Sequence, residues 1–405
     1  MRTLRLSYQP WNYKRGSAGK KFEHALKAHF EYDAVTFATG REALLALLQS
    51  FHLPTGSEVI VQGYTCVVVP NAIHAAGLTA VYADISEDSL NLTVESVEAV
   101  ITEKTRVVIC QHTFGISADA KALRALCDEK KIYFIEDCAH VLPDTDGPQE
   151  ILRHSDFAFA SFGRDKAISG ITGGAALSRN QKVTLELRAM YTHAKDLSFW
   201  EIVKLLEYPA RMRNIVRPLI GKGLAGPALK VLKALKLFTP ILEPEEKEGT
   251  MTRTLHRMPN VCAELAMWQL SKLKQINDHR RKIAGIYLEH AKSVGWPMLE
   301  SLATSRQPPA ASTILPLQKF PMFLKNASHV RRELKKKNIH LDDGWTGCVV
   351  CPDDVDMSAT GYLDGSDPHA ESASKRILSL PTHPTMTEEQ ARELIEILDP
   401  LIHHA

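Results

Sequence analysis

Lys166 lies in the stretch SFGRDKAISGITGG, Ser161 to Gly174, between a Ser-Phe that ends one apolar run and a glycine pair that opens another. As an ammonium it is only a charge; without its proton it is a nucleophile that condenses with a carbonyl carbon. Earlier in the chain Asp137 closes the run IYFIEDCAH, so its carboxylate stands at the carboxyl end of a predicted strand, with the His140 imidazole just beyond. The Thr-Gly of TGREALLALLQSF starts a predicted helix at Gly40, where free N–H groups and the positive end of the helix dipole suit a phosphate. Ser161 adds a hydroxyl donor and Arg41 a permanent cation. Singly, each group has a plainer reading: Gly40 as a turn residue, Arg41 as a solvated helix charge, Asp137 as a helix cap, His140 as a satisfied core imidazole, Lys166 as a surface charge.

The elements that must position these groups are legible as an alternation. From about residue 35 to 180, helical segments such as TGREALLALLQSF, VVPNAIHAAG and DAKALRALCDEKK alternate with short β-branched runs, SEVIVQG, TAVYADI, TRVVICQH, IYFIEDCAH, DFAFASFG and GGAALSR. Strands alternating with crossover helices predict an α/β fold with a mostly parallel sheet covered by helices. Ligands of such sheets sit beyond the carboxyl ends of the strands, which is where Tyr64, His112, Asp137, His140 and the Lys166 loop follow their apolar runs.

Residues 199 to 238 interrupt the pattern with eight Lys/Arg against two Glu, and Leu229, Leu232, Leu235 and Phe238 recur at helical spacing beside Lys230, Lys233 and Lys236. A basic amphipathic segment of this kind can lie on an anionic membrane; packing on its own protein or on a partner subunit is the expectation preferred here. A long periodic helix is expected from about Asn260 to Lys292, followed by mixed strands and helices ending in TEEQARELIEILDPLI, where Thr387 and Gln390 form a capping box. The expected division is a large domain over 1–255, carrying the basic insertion at about 195–245, and a long connecting helix with a smaller α+β domain over 256–405.

The chain of 405 residues is 44% hydrophobic and 24% charged, an ordinary globular composition with room for two domains. Its net charge of +2 gives no field that would make nucleic acid the main partner. The basic start contains no uninterrupted apolar core of the secretory kind, and no later run approaches a membrane-spanning length, so the expected address is the cytoplasm. Seven cysteines without framework spacing read mostly as reduced core thiols, and the lone pair in CVVC, Cys348 to Cys351, is weak evidence for a metal.

An unprotonated lysine, an anion cup and a carboxylate for a ring nitrogen are together what a pyridoxal phosphate enzyme requires. Lys166, the Gly40 helix start with Ser161, and Asp137 supply the three. The order TGREAL, GSEVIVQGYTCVVVPNAI, AVYADISEDSLNL, TRVVICQHTFGISADAKAL, FIEDCAH, SFGRDK with GGAALS, RMPNVCAELAMWQLSKL and LSLPTHPTMTEEQ resembles the DegT/StrS sugar aminotransferases, which are fold type I (aspartate aminotransferase-like) pyridoxal phosphate enzymes. The resemblance runs over nearly the whole chain.

That resemblance implies that Lys166 holds the cofactor as an imine and then moves a proton between substrate and cofactor carbons. It implies that Asp137 pairs with the pyridine nitrogen, that His140 contacts the ring or its hydroxyl, and that Ser161 and the amides around Gly40 and Arg41 bind the phosphate. It further implies a homodimer that transfers an amino group, usually from glutamate, to a nucleotide-linked keto sugar for surface polysaccharide or related glycoconjugates. Family members that dehydrate a sugar replace the lysine, so its presence favours transamination; a non-catalytic scaffold of the same fold is the remaining alternative. Departures from the family pattern are Cys66 where an aromatic residue stacks on the ring, Arg41 where a small residue is usual, Ala167 after the lysine, and Leu255 where a partner-subunit Asn is expected.

Overall fold

The computed structural model describes residues 10–144, 150–235, 237–303, 314–341 and 344–403; Lys236, named above, lies outside them. Nine strands form the main sheet: β1 (Asp33–Phe37), β2 (Glu58–Gln62), β3 (Thr79–Ala83), β4 (Thr105–Gln111), β5 (Tyr133–Cys138), β6 (Phe157–Ser161), β7 (Gly174–Ser178), β8 (Lys195–Asp196) and β9 (His256–Arg257). Their order is β3-β2-β4-β5-β6-β7-β1-β9-β8. The β3-β2-β4-β5-β6 block is parallel, whereas β7 runs antiparallel to both β6 and β1. Continuous β-branched runs such as Val59 to Val61 and Val107 to Ile109 are buried on both faces, which is why they sit inside a helix-covered sheet. The short β1, which the alternation did not single out, fills the position between β7 and β9.

The helix Gly40–Ser50 follows β1 and buries almost every residue, so its amino end is fixed by packing and not only by its cap. Thr39 caps it, its hydroxyl accepting from Glu42 N at 3.2 Å. Where one long helix was expected, two are found, Asn260–Leu270 and Leu273–Val294. At the break, the Ser271 hydroxyl donates to the Trp268 carbonyl at 2.7 Å, a back-bond that competes with the helix ladder. The first of these helices packs on Ala18–Phe30 beside the main sheet; the second leads to a two-stranded antiparallel sheet, Lys319–Phe323 with Ile377–Pro381, and its covering helices. β9, at 256–257, is still part of the main sheet, one step past the boundary read from sequence. Thr387 and Gln390 make the reciprocal capping bonds, 3.0 and 3.1 Å. A short parallel pairing of Val350–Cys351 with Thr65–Cys66 clips the C-terminal region to the loop after β2. Among the described residues no helix is long and apolar enough to cross a membrane.

Candidate active site

The end of β6 and the start of the Gly40–Ser50 helix meet so closely that only glycine fits. A Cβ on Gly40 would lie 2.8 Å from Ser161 Cβ and 3.0 Å from its Oγ, and one on Gly174 would lie 2.4 Å from the Thr39 carbonyl oxygen and 2.5 Å from Gly40 Cα. The close approach puts the Ser161 hydroxyl beside a helix amino terminus, making a compact donor cup for a phosphate. The intervening loop folds back on itself through Phe162 N to Gly173 O at 2.8 Å and Gly170 N to Phe162 O at 2.9 Å. Thr172 adds a bond from its hydroxyl to the Ala38 carbonyl at 2.6 Å. Gly173, at φ 138°, takes a backbone conformation that side chains rarely adopt.

Asp137 and Lys166 reach the same crevice from β5 and from this loop. Asp137 is 4% exposed, and burial pushes its carboxyl up to about 6 against the opposing pull of the Ala139 N–H and of Lys166. Its Oδ1 accepts from Ala139 N at 2.8 Å. Lys166 keeps some exposed surface, yet withdrawal from water lowers its ammonium below the usual lysine range; Cys66 and Asp137 oppose that shift and Lys319 adds to it. Burial shifts the carboxylate up and the lysine down while their mutual attraction restrains both, and perturbed groups of this kind cluster where chemistry is done. Cys66 stands within electrostatic range of Lys166, Arg41 and Asp137, and burial raises its thiol, so it presents a neutral surface.

His140 is fixed as a neutral donor. Burial, with Lys166 and Lys319 nearby, lowers it well below the ordinary imidazole value. Its Nδ1 accepts from Phe114 N at 3.2 Å, which leaves the proton on Nε2. Its ring stacks on Phe114 at 5.7 Å and meets the edge of Trp345 at 4.9 Å.

Two groups read from sequence as lining the crevice belong to its supports. The Tyr64 hydroxyl, fully buried, donates to the Trp345 carbonyl at 2.5 Å. His112, also fully buried, accepts from Ala118 N at Nδ1 (3.1 Å) and donates from Nε2 to Glu136 Oε2 at 2.8 Å. Burial would raise the Glu136 carboxyl, but bonds from His112, Leu152 N and Ser155 hold it low. The His112, Glu136 and Cys138 ligand atoms cluster within 4.8 Å, but the hydrogen bonds just given occupy the His112 nitrogens and the Glu136 oxygens. The Cys348 and Cys351 sulfurs lie 3.5 Å apart as free thiols.

The second layer of the site comes from the C-terminal part of the chain. Gln318 donates from Nε2 to the Asp165 carbonyl, and Arg280 from Nη2 to the Lys166 carbonyl at 3.3 Å, so two consecutive carbonyls of the loop are held by residues from the C-terminal part of the chain. Arg280 is 3% exposed, and burial pushes it down to about 10. Thr382 secures the grip by donating to the carbonyls of Leu317 and Gln318 at 2.6 and 2.7 Å. Lys319 lies with its ammonium 5.7 Å from the Phe114 ring centre. Sequence reading did not reach Trp345, Gln318, Lys319 or Arg280; no local motif marks them, and only the Thr382 that braces Gln318 sits in a quoted segment, LSLPTHPTMTEEQ.

The two arginines flanking the cup turn away from it. Sequence reading offered the Arg41 side chain as a permanent cation near the cup, with a solvated helix charge as the plainer reading; in the structure its guanidinium pairs with the Glu246 carboxylate and donates to the Ile241 carbonyl at 2.5 Å. Arg164 lies 4.0 Å over the Tyr208 ring and donates to the Thr239 carbonyl at 2.6 Å. Both therefore tie the basic insertion to the loops around the cup. Leu255 is buried, its carbonyl accepting from Lys195 N at 2.9 Å, and it lines an open groove of about 410 Å³ with His193, Lys195 and Arg253.

These residues fit pyridoxal phosphate: the Ser161 hydroxyl stands beside the free amides of a helix start, a carboxylate raised by burial would be relieved by a protonated ring nitrogen, and a lysine with a lowered ammonium pKa lies within electrostatic reach of that carboxylate. Ser161→Ala is expected to weaken cofactor affinity about ten- to a hundred-fold, the range of a hydrogen bond to a charged group, in a spectrophotometric titration of the cofactor-free protein.

Comparison with known proteins agrees. The model of the DegT/DnrJ/EryC1/StrS aminotransferase family matches residues 3–221 and 243–399. The GDP-perosamine synthase of Vibrio cholerae is 30% identical over 239 residues, 58% of this chain and 64% of that protein's length. The GDP-perosamine synthase of Escherichia coli O157:H7 is 24% identical over 394 residues, 96% of this chain and 91% of its own. Among solved structures, an aminotransferase from Psychrobacter cryohalolentis superposes with a TM-score of 0.73 at 21% identity, covering 99% of this chain and 96% of that one. With the family model matched over both halves of the sequence and the lysine, carboxylate and cup assembled in one crevice, this chain belongs to the DegT/DnrJ/EryC1/StrS aminotransferase family.

Proposed function

We propose that the protein is a pyridoxal phosphate-dependent aminotransferase that moves an amino group from glutamate to the keto carbon of a nucleotide-linked sugar, in the making of surface polysaccharide or a related glycoconjugate. The observation that carries this reading is the perturbed pair of Asp137 and Lys166 facing a crevice beside the Gly40–Ser161 cup. The cofactor supplies an aldehyde that captures amines and a pyridinium that accepts an electron pair. Ser161 and the amides at the helix start hold its phosphate. Asp137 keeps the proton on the ring nitrogen, and the neutral His140 offers its Nε2–H to the ring or its hydroxyl.

With cofactor bound, Lys166 Nζ would take a proton from the substrate carbon that bears the nitrogen and return it to the cofactor carbon on the other side of that nitrogen, acting as base and then acid. Burial aids the first step by depleting the ammonium. Gln318 and Arg280, holding the carbonyls of Asp165 and Lys166, keep the loop still while the side chain moves. The relatives named for GDP-perosamine synthesis support a nucleotide-linked sugar as substrate. The chain acts in the cytoplasm as a homodimer.

The test is a half-reaction. The purified protein loaded with cofactor and mixed with glutamate is expected to exchange its visible band for the near-ultraviolet band of the aminated cofactor, and a keto-sugar nucleotide is expected to reverse the change. If neither glutamate nor any other amino acid shifts the band, transamination is wrong.

A further inference from the structure

The segment from 199 to 241 holds eight of the thirteen exposed large apolar side chains found among the described residues. Within it, the helix Ala225–Ala234 has two apolar stripes that differ in fate. Leu232, with Leu229 beside it, packs against Val216 and Phe238 in a small local core. Leu224, Val231 and Leu235, spaced at seven and four residues and therefore on one line of the helix, are 52, 57 and 62% exposed. The expected four-residue stripe is thus split, with Leu235 turned outward. Lys230 and Lys233 are exposed on the same helix, and Arg213 and Arg217 on the turns before it.

A second copy of the chain makes a poor cover for this stripe. Self-contact across a twofold axis would bring like charges together, in a segment that carries eight Lys/Arg against two Glu over 199–238. The family model passes over residues 222–242, so the stripe is an addition to the frame that the family shares. An anionic bilayer surface satisfies both halves of the pattern, taking the apolar side chains among its acyl chains and the cations at its phosphates. Membrane contact was the less favoured expectation from sequence; the outward stripe reverses that preference.

We propose that helix Ala225–Ala234 lies in the plane of an anionic membrane surface, with Leu224, Val231 and Leu235 inserted and Lys230, about 120° round the helix from that stripe, reaching back to the headgroups. Contacts of Arg164 with Tyr208 and Thr239, and of Arg41 with Ile241 and Glu246, join the docked segment directly to the loops that build the phosphate cup.

The experiment is sedimentation of the full chain, loaded with cofactor, with vesicles of phosphatidylcholine alone or mixed with phosphatidylglycerol. Binding to the mixed vesicles and little to the neutral ones is expected. The variant Lys230→Gln should lower that binding about five-fold, as expected for one charge near the surface. The triple variant Leu224→Ser, Val231→Ser, Leu235→Ser should lower it at least ten-fold. Both variants should keep the visible cofactor band and turnover in solution, since none of these residues touches the site. Absence of binding to anionic vesicles, or binding that both variants leave intact, overturns the proposal. So does a serine variant that falls from dimer to monomer in sedimentation velocity, because the stripe would then be a subunit contact.

Discussion

Lys166→Ala is expected to lower turnover by about a thousand-fold or more and to remove the visible band of the lysine-bound cofactor. The reason is that one nitrogen serves two roles, as the covalent anchor and as the group that shuttles the proton, and acid–base catalysis alone is worth about 10²- to 10⁴-fold. The variant should fold, because the loop around position 166 is held by its backbone, through Arg280 to the Lys166 carbonyl and Gln318 to the Asp165 carbonyl, and not by the side chain. Borohydride reduction followed by peptide mapping should fix cofactor mass on the Lys166 peptide of the natural protein and nowhere in the variant. Cofactor mass on another lysine of the natural protein would show that the assignment is wrong.

The second large effect is expected at Asp137→Asn, with activity and stability moving in opposite directions. Turnover should fall about 100- to 1000-fold, as is typical when one preorganised electrostatic partner of the reacting group is lost. The cofactor-free protein should nevertheless become more stable near neutral pH. Burial raises the folded-state carboxyl from 3.8 to about 6, so folding disfavours the ionised form. For a raised acid this penalty is absent below the unfolded value, grows as pH rises between the two values and is complete above about 6, where it costs up to about 3 kcal/mol. Asn keeps an oxygen for the Ala139 N–H, which lies 2.8 Å from Asp137 Oδ1, and carries no charge.

Denaturant unfolding of the cofactor-free forms should therefore show Asp137→Asn ahead of the natural protein at pH 8, with the gap closing toward pH 4. Bound cofactor should reverse the order, since its ring proton relieves the natural carboxylate and finds no charge on Asn. A variant that keeps turnover within ten-fold would exclude Asp137 as the ring partner.

The strands β2 to β7 could be read from sequence because each is a buried run bounded by turn residues, and burial on both faces leaves a continuous apolar signature. The break after Leu270 could not, because apolar spacing continues across it and the interruption is a local backbone departure at Lys272, φ −116° and ψ 10°. The lysine, carboxylate, serine and cup glycine could be named because each sits within a few residues of a strand or helix end. Gln318, Arg280, Lys319 and Trp345 reach the crevice from far along the chain, on elements whose local pattern only describes their own packing. Arg41 shows the limit most directly: its place at a helix start was legible, but the direction of its side chain depends on Glu246 and Ile241, which arrive with the insertion.

The sequence by itself determined the chemical set, since residue type and position at an element's end decide what a group can do, and those are local properties. Tertiary structure decided the protonation of that set, because the shifts at Asp137, Lys166 and His140 come from burial and from charges brought in by distant elements. It also decided which apolar residues of the basic helix are spent on its own core and which are left facing outward, a choice that periodicity alone leaves open because apolar residues recur at helical spacing on both sides.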